Sequence, residues 1–146
     1  MSRWSLRTLL LILLLSGVAT VADALVVTDQ ERLESFVDSV AGDRADRRID
    51  AALDHADLSR VAVEVQDGRR SERFRDGDEI ELADEVQRAL ATLAEPGAEL
   101  IQDSIEIEGD RAHVALRLRA EEELLNTQFT LVRRGDGWIL SRVRVL

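Results

Sequence analysis

The sequence predicts an α+β fold in which an antiparallel sheet is covered on one face by three N-terminal helices. Four segments of the last third alternate apolar and polar residues, as strands with one covered face do; they are 101–108, 112–119, 128–134 and 138–146. Three earlier segments repeat apolar residues at helical spacing; they are 28–41, 44–56 and 83–94. We therefore expect a single domain over residues 25–146.

The predicted helices are bounded by recognisable start and stop signals. Thr28, with Glu31 three residues later, has the pattern of a capping box and predicts the start of the first helix. Gly42 follows its last apolar residue. Pro96-Gly97 ends the third helix, because a helix rarely continues through this pair.

A strand pair is predicted between the second and third helices. Residues 61–65 read Val-Ala-Val-Glu-Val, which is strand alternation. Asp67-Gly68 predicts a turn, and residues 72–75 a short returning strand. Later in the chain, residues 121–125 begin with three glutamates, and we expect them to form a solvated connection between two strands.

Residues 1–24 have the pattern of a secretory signal peptide. Arg3 and Arg7 give a positive start, residues 9–15 are uninterrupted apolar residues, and Ala22-Asp23-Ala24 is a small-x-small cleavage pattern. The alternative is an uncleaved membrane anchor over residues 8–27, which would place an aspartate near the end of a barely sufficient span. Cleavage is favoured, and it predicts a periplasmic or secreted protein.

Composition excludes several classes of function. The formal charge is −10, with 10 arginines against 24 acidic residues in 25–110 and 7 against 4 in 111–146. An acidic body with a basic sheet argues against nucleic-acid binding. The chain has no cysteine and only two histidines, so neither a disulfide nor a metal site is expected. No glycine-rich phosphate loop is present, and we expect no cofactor.

The order of these elements and three turn motifs resemble the nuclear transport factor 2-like superfamily, which includes ketosteroid isomerase and polyketide cyclases. The motifs are Arg75-Asp76-Gly77-Asp78-Glu79-Ile80, Glu108-Gly109-Asp110-Arg111-Ala112 and Gly135-Asp136-Gly137-Trp138-Ile139. The resemblance covers residues 28–146 and implies a curved α+β cone. None of the motifs is catalytic, so the resemblance predicts a fold more than a reaction.

Pairing the strands around their turns predicts which residues point inward: Ile101, Asp103, Ile105, Ile107, Val114, Leu116, Leu118, Phe129, Leu131, Ile139, Val143 and Val145. Asp103 is the one acid among them. It is either a general base at the mouth of the cone or a solvated residue at the start of a strand, and the second interpretation is favoured.

His55 is the second candidate catalytic residue, at the mouth of the same pocket. Its position near the end of the second helix also suits an ordinary contact with the helix dipole. The resemblance implies a pocket lined by acids, histidines or tyrosines, and the absence of tyrosine removes the phenol donor of ketosteroid isomerase. His113 is predicted to face outward opposite Glu106, as a cross-strand pair.

An apolar patch bordered by arginines is predicted on the outward face. Its members are Ala115, Val132 and Trp138 in one row, Thr130 and Leu140 in the next, and Arg117, Arg119 and Arg142 at the border. This composition is typical of interfaces and predicts a homodimer or a protein partner. Alternatively, the strands simply need β-forming residues and the arginine stems cover them.

These observations predict an exported, non-catalytic interaction or small-ligand-binding domain, whose ligand would be apolar. The alternative is a small isomerase, cyclase or hydratase-like enzyme with Asp103 as its base. An open cavity above about 300 Å³ lined by Asp103 would favour an enzyme or a ligand binder. A filled cone would favour a partner-binding role.

Overall fold

The computed structural model describes residues 28–121 and 123–146. The chain divides into two compact units, Met1–Glu31 and Arg32–Leu146, and only residues 28–31 of the first are described. The predicted signal peptide, 1–24, and the alternative anchor, 8–27, therefore lie outside the described residues. Within the described part of the chain, no helix combines the length and the apolar character needed to cross a bilayer.

The described residues form three α-helices and six strands, which confirms the α+β class. The helices are α1 (Asp29–Val40), α2 (Arg48–Leu53) and α3 (Glu79–Ala89). The strands are β1 (Val63–Asp67), β2 (Arg70–Phe74), β3 (Glu99–Glu108), β4 (Arg111–Ala120), β5 (Glu123–Arg134) and β6 (Gly137–Val145). Short 3₁₀ turns precede α2 and follow α3, at Ala45–Arg47 and Ala91–Ala94.

The capping box predicted at the start of α1 is formed. The Thr28 amide donates to Glu31 Oε2 at 2.7 Å, and the Glu31 amide donates to Thr28 Oγ1 at 3.2 Å. These two bonds satisfy donors that the first turn of a helix leaves without partners. The hydrogen bonds from Thr28 also lower the pKa of the Glu31 carboxyl, since they favour its ionised form.

All six strands belong to one curved, open sheet, in the order β2-β1-β6-β5-β4-β3. Four neighbouring pairs are antiparallel, but β1 and β6 are parallel. The expectation of a purely antiparallel sheet is wrong at this pair. A parallel pair needs a long crossover connection, and here α3 and the strands β3 to β5 supply it.

The inner face of the sheet, defined as the face that packs against the helices, is filled with apolar side chains. Its central members are at most 2% exposed: Val114, Leu116, Leu118, Phe129 and Leu131. The Phe36 ring of α1 meets the Phe129 ring edge-on, with centroids 5.4 Å apart. Because each such side chain contributes about 1.5–3 kcal/mol on burial, this face is the main source of stability.

One buried cation ties the helices to the segment before β3. Arg48 is 4% exposed; its Nε donates to the Gly42 carbonyl at 2.7 Å, and its Nη1 donates to the Leu93 and Ala98 carbonyls at 3.0 and 2.9 Å. Burial lowers the pKa of Arg48, and the nearby Asp43 partly opposes this effect. The three carbonyl bonds satisfy the buried donors, so Arg48 joins distant parts of the chain.

The strand β5 begins five residues earlier than the predicted 128. Ala120 is paired with Glu123, so the strand pairing extends into the expected connection, and Glu121 adopts a positive φ of 54°. The alternation of buried residues continues back through Thr127 and Leu125. Thr127 was not recognised as an inward residue, but its hydroxyl is satisfied by donating to the Arg144 carbonyl at 3.0 Å.

A bulge in β6 changes which face its residues occupy. Thr130 is opposite Arg142, whereas the next residue, Leu131, is opposite Leu140. Ser141 is therefore an extra residue without a partner in the register. A β-bulge of this kind shifts every residue beyond it to the other face of the sheet.

Because of the bulge, the predicted faces of three residues are wrong. Trp138 and Leu140 belong to the hydrophobic core and are 7% and 0% exposed, so their predicted outward placement is wrong. Ile139 was predicted to point inward, but it is paired with Val132 on the opposite face. Val143 precedes the change in register, and its predicted inward placement is confirmed.

The edge strand β3 contains a second irregularity. Asp103, Ile105 and Ile107 are paired with core residues of β4, which confirms their predicted face. Ile101 is skipped in the pairing, so Leu100 takes the position expected for it. Because β3 has a neighbour on one side only, its residues remain largely exposed.

Candidate functional site

A row of polar side chains crosses the outer face of the sheet, which is the face opposite the helices. The register places one residue of each strand in this row: Glu106, His113, Thr130, Arg142, Glu64 and Arg73. The predicted pairing of His113 with Glu106 is confirmed by this register. The polar row spans all six strands, so a ligand bound there could reach several strands at once.

Hydrogen bonds hold part of the polar row in place. Arg142 Nη2 donates to Glu64 Oε2 at 2.8 Å, and Ser71 Oγ donates to Glu64 Oε1 at 2.8 Å. The hydrogen bond from Ser71, followed by that from Arg142, lowers the pKa of the Glu64 carboxyl. His113 Nδ1 lies 3.3 Å from Thr130 Oγ1. Glu64 is therefore ionised at neutral pH and fixes one arginine of the row.

A depression of about 430 Å³ surrounds this row, and we call it the arginine pocket. Its lining residues are Arg60, Val61, Ala62, Glu64, Arg73, Arg111, His113, Thr130, Val132, Arg134, Ser141 and Arg142. The chain has 19 arginines and 29 acidic residues, yet five arginines and a single acid line this pocket. The pocket is thus a basic site on an acidic protein.

Two strand ends and one loop each contribute an arginine near one end of the pocket. Arg111 begins β4 and Arg134 ends β5, so both lie beside the turns of their hairpins. Arg60 comes from the loop before β1, and its Nη2 lies 4.0 Å from the position that a Cβ on Gly135 would take. Arg134 Nη1 is 3.9 Å from the Asp110 carboxylate, and such a loose, exposed pair contributes little.

The two predicted catalytic residues are not brought together. Asp103 lies on the edge strand β3, whereas the His55 carbonyl accepts a hydrogen bond from the Leu140 amide of β6 at 2.7 Å. The strands β4 and β5 separate them, and three strand spacings amount to about 14 Å. This distance is too long for the two groups to act on one bond through direct contact or one water.

The contacts of the His55 side chain are those of a residue that supports the fold. Its Nδ1 lies 3.1 Å from the Ala51 carbonyl, and its ring packs edge-on against Phe36 with centroids 4.9 Å apart. Both contacts hold the ring in a fixed orientation against the core. The interpretation of His55 as a residue at the end of a helix therefore agrees with the structure better than a catalytic role.

Asp103 lines a cleft of about 300 Å³ together with Ala115, Leu116, Arg117 and Leu146. The Asp103 side chain is exposed, and the described residues that line this cleft include neither a buried charge nor a histidine. The described residues also contain no group of three or more histidines and acids that could hold a metal ion.

The predicted interface patch is divided in the structure. Thr130 and Val132 line the arginine pocket, whereas Ala115 and Arg117 line the cleft beside Asp103. Ala115 is paired with Gln128 and not with Val132, because β5 begins earlier than predicted.

Two further members of the predicted patch lie in the core. Leu140 is fully buried, and the Trp138 ring lies 4.9 Å below the Arg133 guanidinium. The apolar centre of the patch is therefore lost, although the prediction of association itself is not tested by these positions.

The sequence indicated that some of the pocket's arginines lie on the outer face, but not that they come together in one pocket. The basic character of residues 111–146 and the outward placement of Arg142 both pointed to this face. Arg60 and Arg73 reach the pocket only because β1 lies parallel to β6 and brings β2 with it. No local pattern in the sequence encodes that pairing.

No family model and no curated protein matches the chain. Solved structures do match. The designed protein Rd1NTF2_05, in a form with five substitutions, has a TM-score of 0.57 at 13% identity and covers 82% of this chain and 100% of its own. A protein provisionally assigned as a ketosteroid isomerase from Shewanella frigidimarina has a TM-score of 0.56 at 18% identity, covering 77% and 92%.

A third similar structure is a DUF4783 family protein from Bacteroides ovatus, with a TM-score of 0.55 at 10% identity over 74% of this chain and 89% of that one. At these identities the similarity concerns the backbone and not the site residues. Together with the strand order and the helices on one face, it shows that this chain has the nuclear transport factor 2-like fold.

Proposed function

We propose that the chain is an exported, non-catalytic binding domain with the nuclear transport factor 2-like fold, and that it binds its ligand or partner on the outer face of the sheet. The observation that supports this most strongly is the contrast between the two faces. The inner face is packed with aliphatic and aromatic side chains, whereas the outer face contains the arginine pocket.

The chemistry of the arginine pocket supports binding rather than catalysis. Guanidinium groups are donors that stay charged, and they neither abstract nor release protons at neutral pH. Glu64, the one acid in the pocket, is engaged by Arg142 and Ser71. The pocket can therefore hold an anionic group, and its one histidine, His113, has its Nδ1 3.3 Å from Thr130 Oγ1.

An enzyme that uses Asp103 is the second candidate. Asp103 lines a cleft of about 300 Å³, which is the lower limit for small-molecule sites, and one similar structure has a name that mentions ketosteroid isomerase. Against this, the carboxylate is exposed on an edge strand, and His55 is remote from it.

Chemical-shift mapping tests the proposal. Small anionic, neutral and cationic compounds are titrated into the isotope-labelled protein. We expect a binding compound to shift the amides of Thr130, Ser141 and Arg142, and to bind equally well to Asp103→Asn. Shifts confined to the cleft of Asp103, abolished by Asp103→Asn and accompanied by turnover, would establish the enzyme instead.

Export is the second part of the proposal and rests on residues 1–24. If the signal is cleaved after Ala24, the protein recovered by osmotic release begins at Leu25. Recovery of Met1 on a protein that remains with the membrane would replace this proposal with the anchored alternative over residues 8–27.

Association through the outer face is also proposed, either with a second copy or with another protein. Since Trp138 and Leu140 lie in the core, Val132, which lines the pocket, is the position to test. Val132→Glu should weaken association in sedimentation at micromolar concentration. Identical folded monomers for both proteins would exclude self-association through this surface.

A further inference from the structure

The arginines of the pocket are mostly without acidic partners. Among the described residues, no carboxylate lies within 4.0 Å of the guanidinium nitrogens of Arg60, Arg73 or Arg111. Arg142 shares Glu64, and Arg134 has only its loose contact with Asp110. Glu64 also interacts electrostatically with Arg73. Five arginines around a single carboxylate still create a strong local potential for an anion.

The positive groups occupy two ends of the pocket. Arg142 is opposite Thr130 in β5, and Arg134 is four residues further along the same strand. Four residues of a strand span about 13 Å. Arg60 lies at the end of Arg134, beside Gly135. Arg111 is opposite Val132, two residues from that end, and Arg73 lies in the row of Arg142.

The floor between the two ends includes apolar side chains. Val132 is 8% exposed and lies between Thr130 and Arg134 along β5, and Val61 and Ala62 also line the pocket. Ser141 Oγ donates to the Thr130 carbonyl at 3.0 Å, so it is already engaged. A ligand that fits this floor has a hydrocarbon segment between its charged groups.

From this arrangement we infer that the arginine pocket binds a linear dicarboxylate whose two carboxylates are joined by a short hydrocarbon spacer. The inference rests on the proposed binding role of the outer face and specifies the ligand class. One carboxylate is held by Arg111, Arg134 and Arg60, since guanidinium groups bind carboxylates in a bidentate manner. The other is held by Arg73 and Arg142.

Glu64 sets a limit on affinity. It is ionised and already bonded to Arg142, so it repels the second carboxylate of the ligand while holding that arginine in place. Glu64→Gln removes the repulsion and keeps the shape of the side chain. We therefore expect this variant to bind dicarboxylates several-fold more tightly than the wild type.

The experiment is isothermal titration calorimetry of the protein with succinate, glutarate, adipate and pimelate, and with hexanoate and inorganic phosphate as comparison anions. We expect at least one dicarboxylate to bind about 10-fold more tightly than hexanoate or phosphate, because only a two-ended anion reaches both groups of arginines. Equal affinities for dicarboxylates and hexanoate would overturn the inference.

Arg111→Gln and Arg119→Gln form a matched pair of variants. Both residues are exposed on the outer face of β4, and both are opposite a glutamate of β3, but only Arg111 lines the pocket. Arg111→Gln should weaken dicarboxylate binding about 10-fold, whereas Arg119→Gln should leave it within about twofold. Equal losses would mean that the net charge attracts the anion, and the pocket would be rejected.

Failure of this inference differs from failure of the proposed function. If no dicarboxylate binds at millimolar concentration while another compound shifts the amides of Thr130 and Ser141, the ligand class is wrong and the outer face remains the binding surface. An unchanged thermal midpoint in Arg111→Gln ensures that any loss of affinity is not a loss of folding.

Discussion

The two faces of the sheet differ in character although the same strands build both. Along β4, Ala112, Val114 and Leu116 are buried against the helices, whereas the alternating Arg111 and His113 line the arginine pocket. Strand geometry alone produces this separation, since successive side chains point to opposite faces. The comparison indicates that stability resides on the inner face, and that binding is expected on the outer one.

The similarity to solved structures concerns the fold and not a site. On the inner face of the curved sheet, Phe36, Phe129 and the neighbouring leucines pack against one another. Function resides in sites that a fold presents, not in the fold itself.

The largest expected effect concerns Trp138, which sequence reasoning placed outside and the structure places inside. Trp138→Ala should lower the free energy of unfolding by about 3–5 kcal/mol, because it leaves a large cavity in the core. Chemical denaturation measures the loss, and Leu124→Ala, at a side chain that is 50% exposed, should cost under about 1 kcal/mol. If the Trp138→Ala protein were as stable as the wild type, Trp138 would lie on the outer face and not in the core.

Adjacent residues of β4 test the division of faces directly. Leu116→Ala should cost about 2–5 kcal/mol, since its side chain is 2% exposed. Arg117→Ala, one residue along and exposed, should cost under about 1 kcal/mol. The reverse order of these costs in equilibrium unfolding would mean that the register is displaced by one residue.

Arg48 allows a buried arginine to be compared with those of the pocket. Arg48→Met leaves three carbonyl groups without their donor, and we expect a loss of about 1–3 kcal/mol. Arg73→Gln in the arginine pocket should change stability by no more than about 0.5 kcal/mol. Similar losses in thermal unfolding of the two variants would show that the pocket arginines also support the fold.

The smallest expected effect is the pH dependence of the Glu64 contacts. Because the pKa of this carboxyl is lowered in the folded state, its contribution to stability is present above the ordinary glutamate pKa and disappears as the pH falls through the folded value. Between neutral pH and about pH 3, the wild type should therefore lose slightly more stability than Glu64→Gln. Identical losses would indicate that the bonds from Ser71 and Arg142 do not form in solution.

Much of the fold could be predicted because its signals are local. The capping box at Thr28, the glycine turns and the alternation of β4 each depend on a few neighbouring residues, and the structure contains all of them. The helix bounds were less well predicted: α2 is shorter than expected, and α3 starts at Glu79 instead of 83.

The positions that could not be predicted depend on long-range pairing. The extra residue Ser141 reverses the faces of Trp138 and Ile139, and nothing in the local alternation marks it. No local sequence pattern indicates the parallel pairing of β1 with β6 either. This pairing brings Arg60 and Arg73 to the pocket. The candidate site therefore became visible only with the complete sheet.

The central claim, that one face stabilises and the other binds, is tested most directly by unfolding with and without a saturating dicarboxylate. Ligand at ten times its Kd should add about 1.4 kcal/mol to the free energy of unfolding of the wild type. Leu116→Ala should be much less stable than the wild type yet keep this ligand-induced increment. Arg111→Gln without ligand should be as stable as the wild type, but the ligand should add much less to its free energy of unfolding. The account is contradicted if Leu116→Ala loses the increment while folded, or if Arg111→Gln keeps it in full.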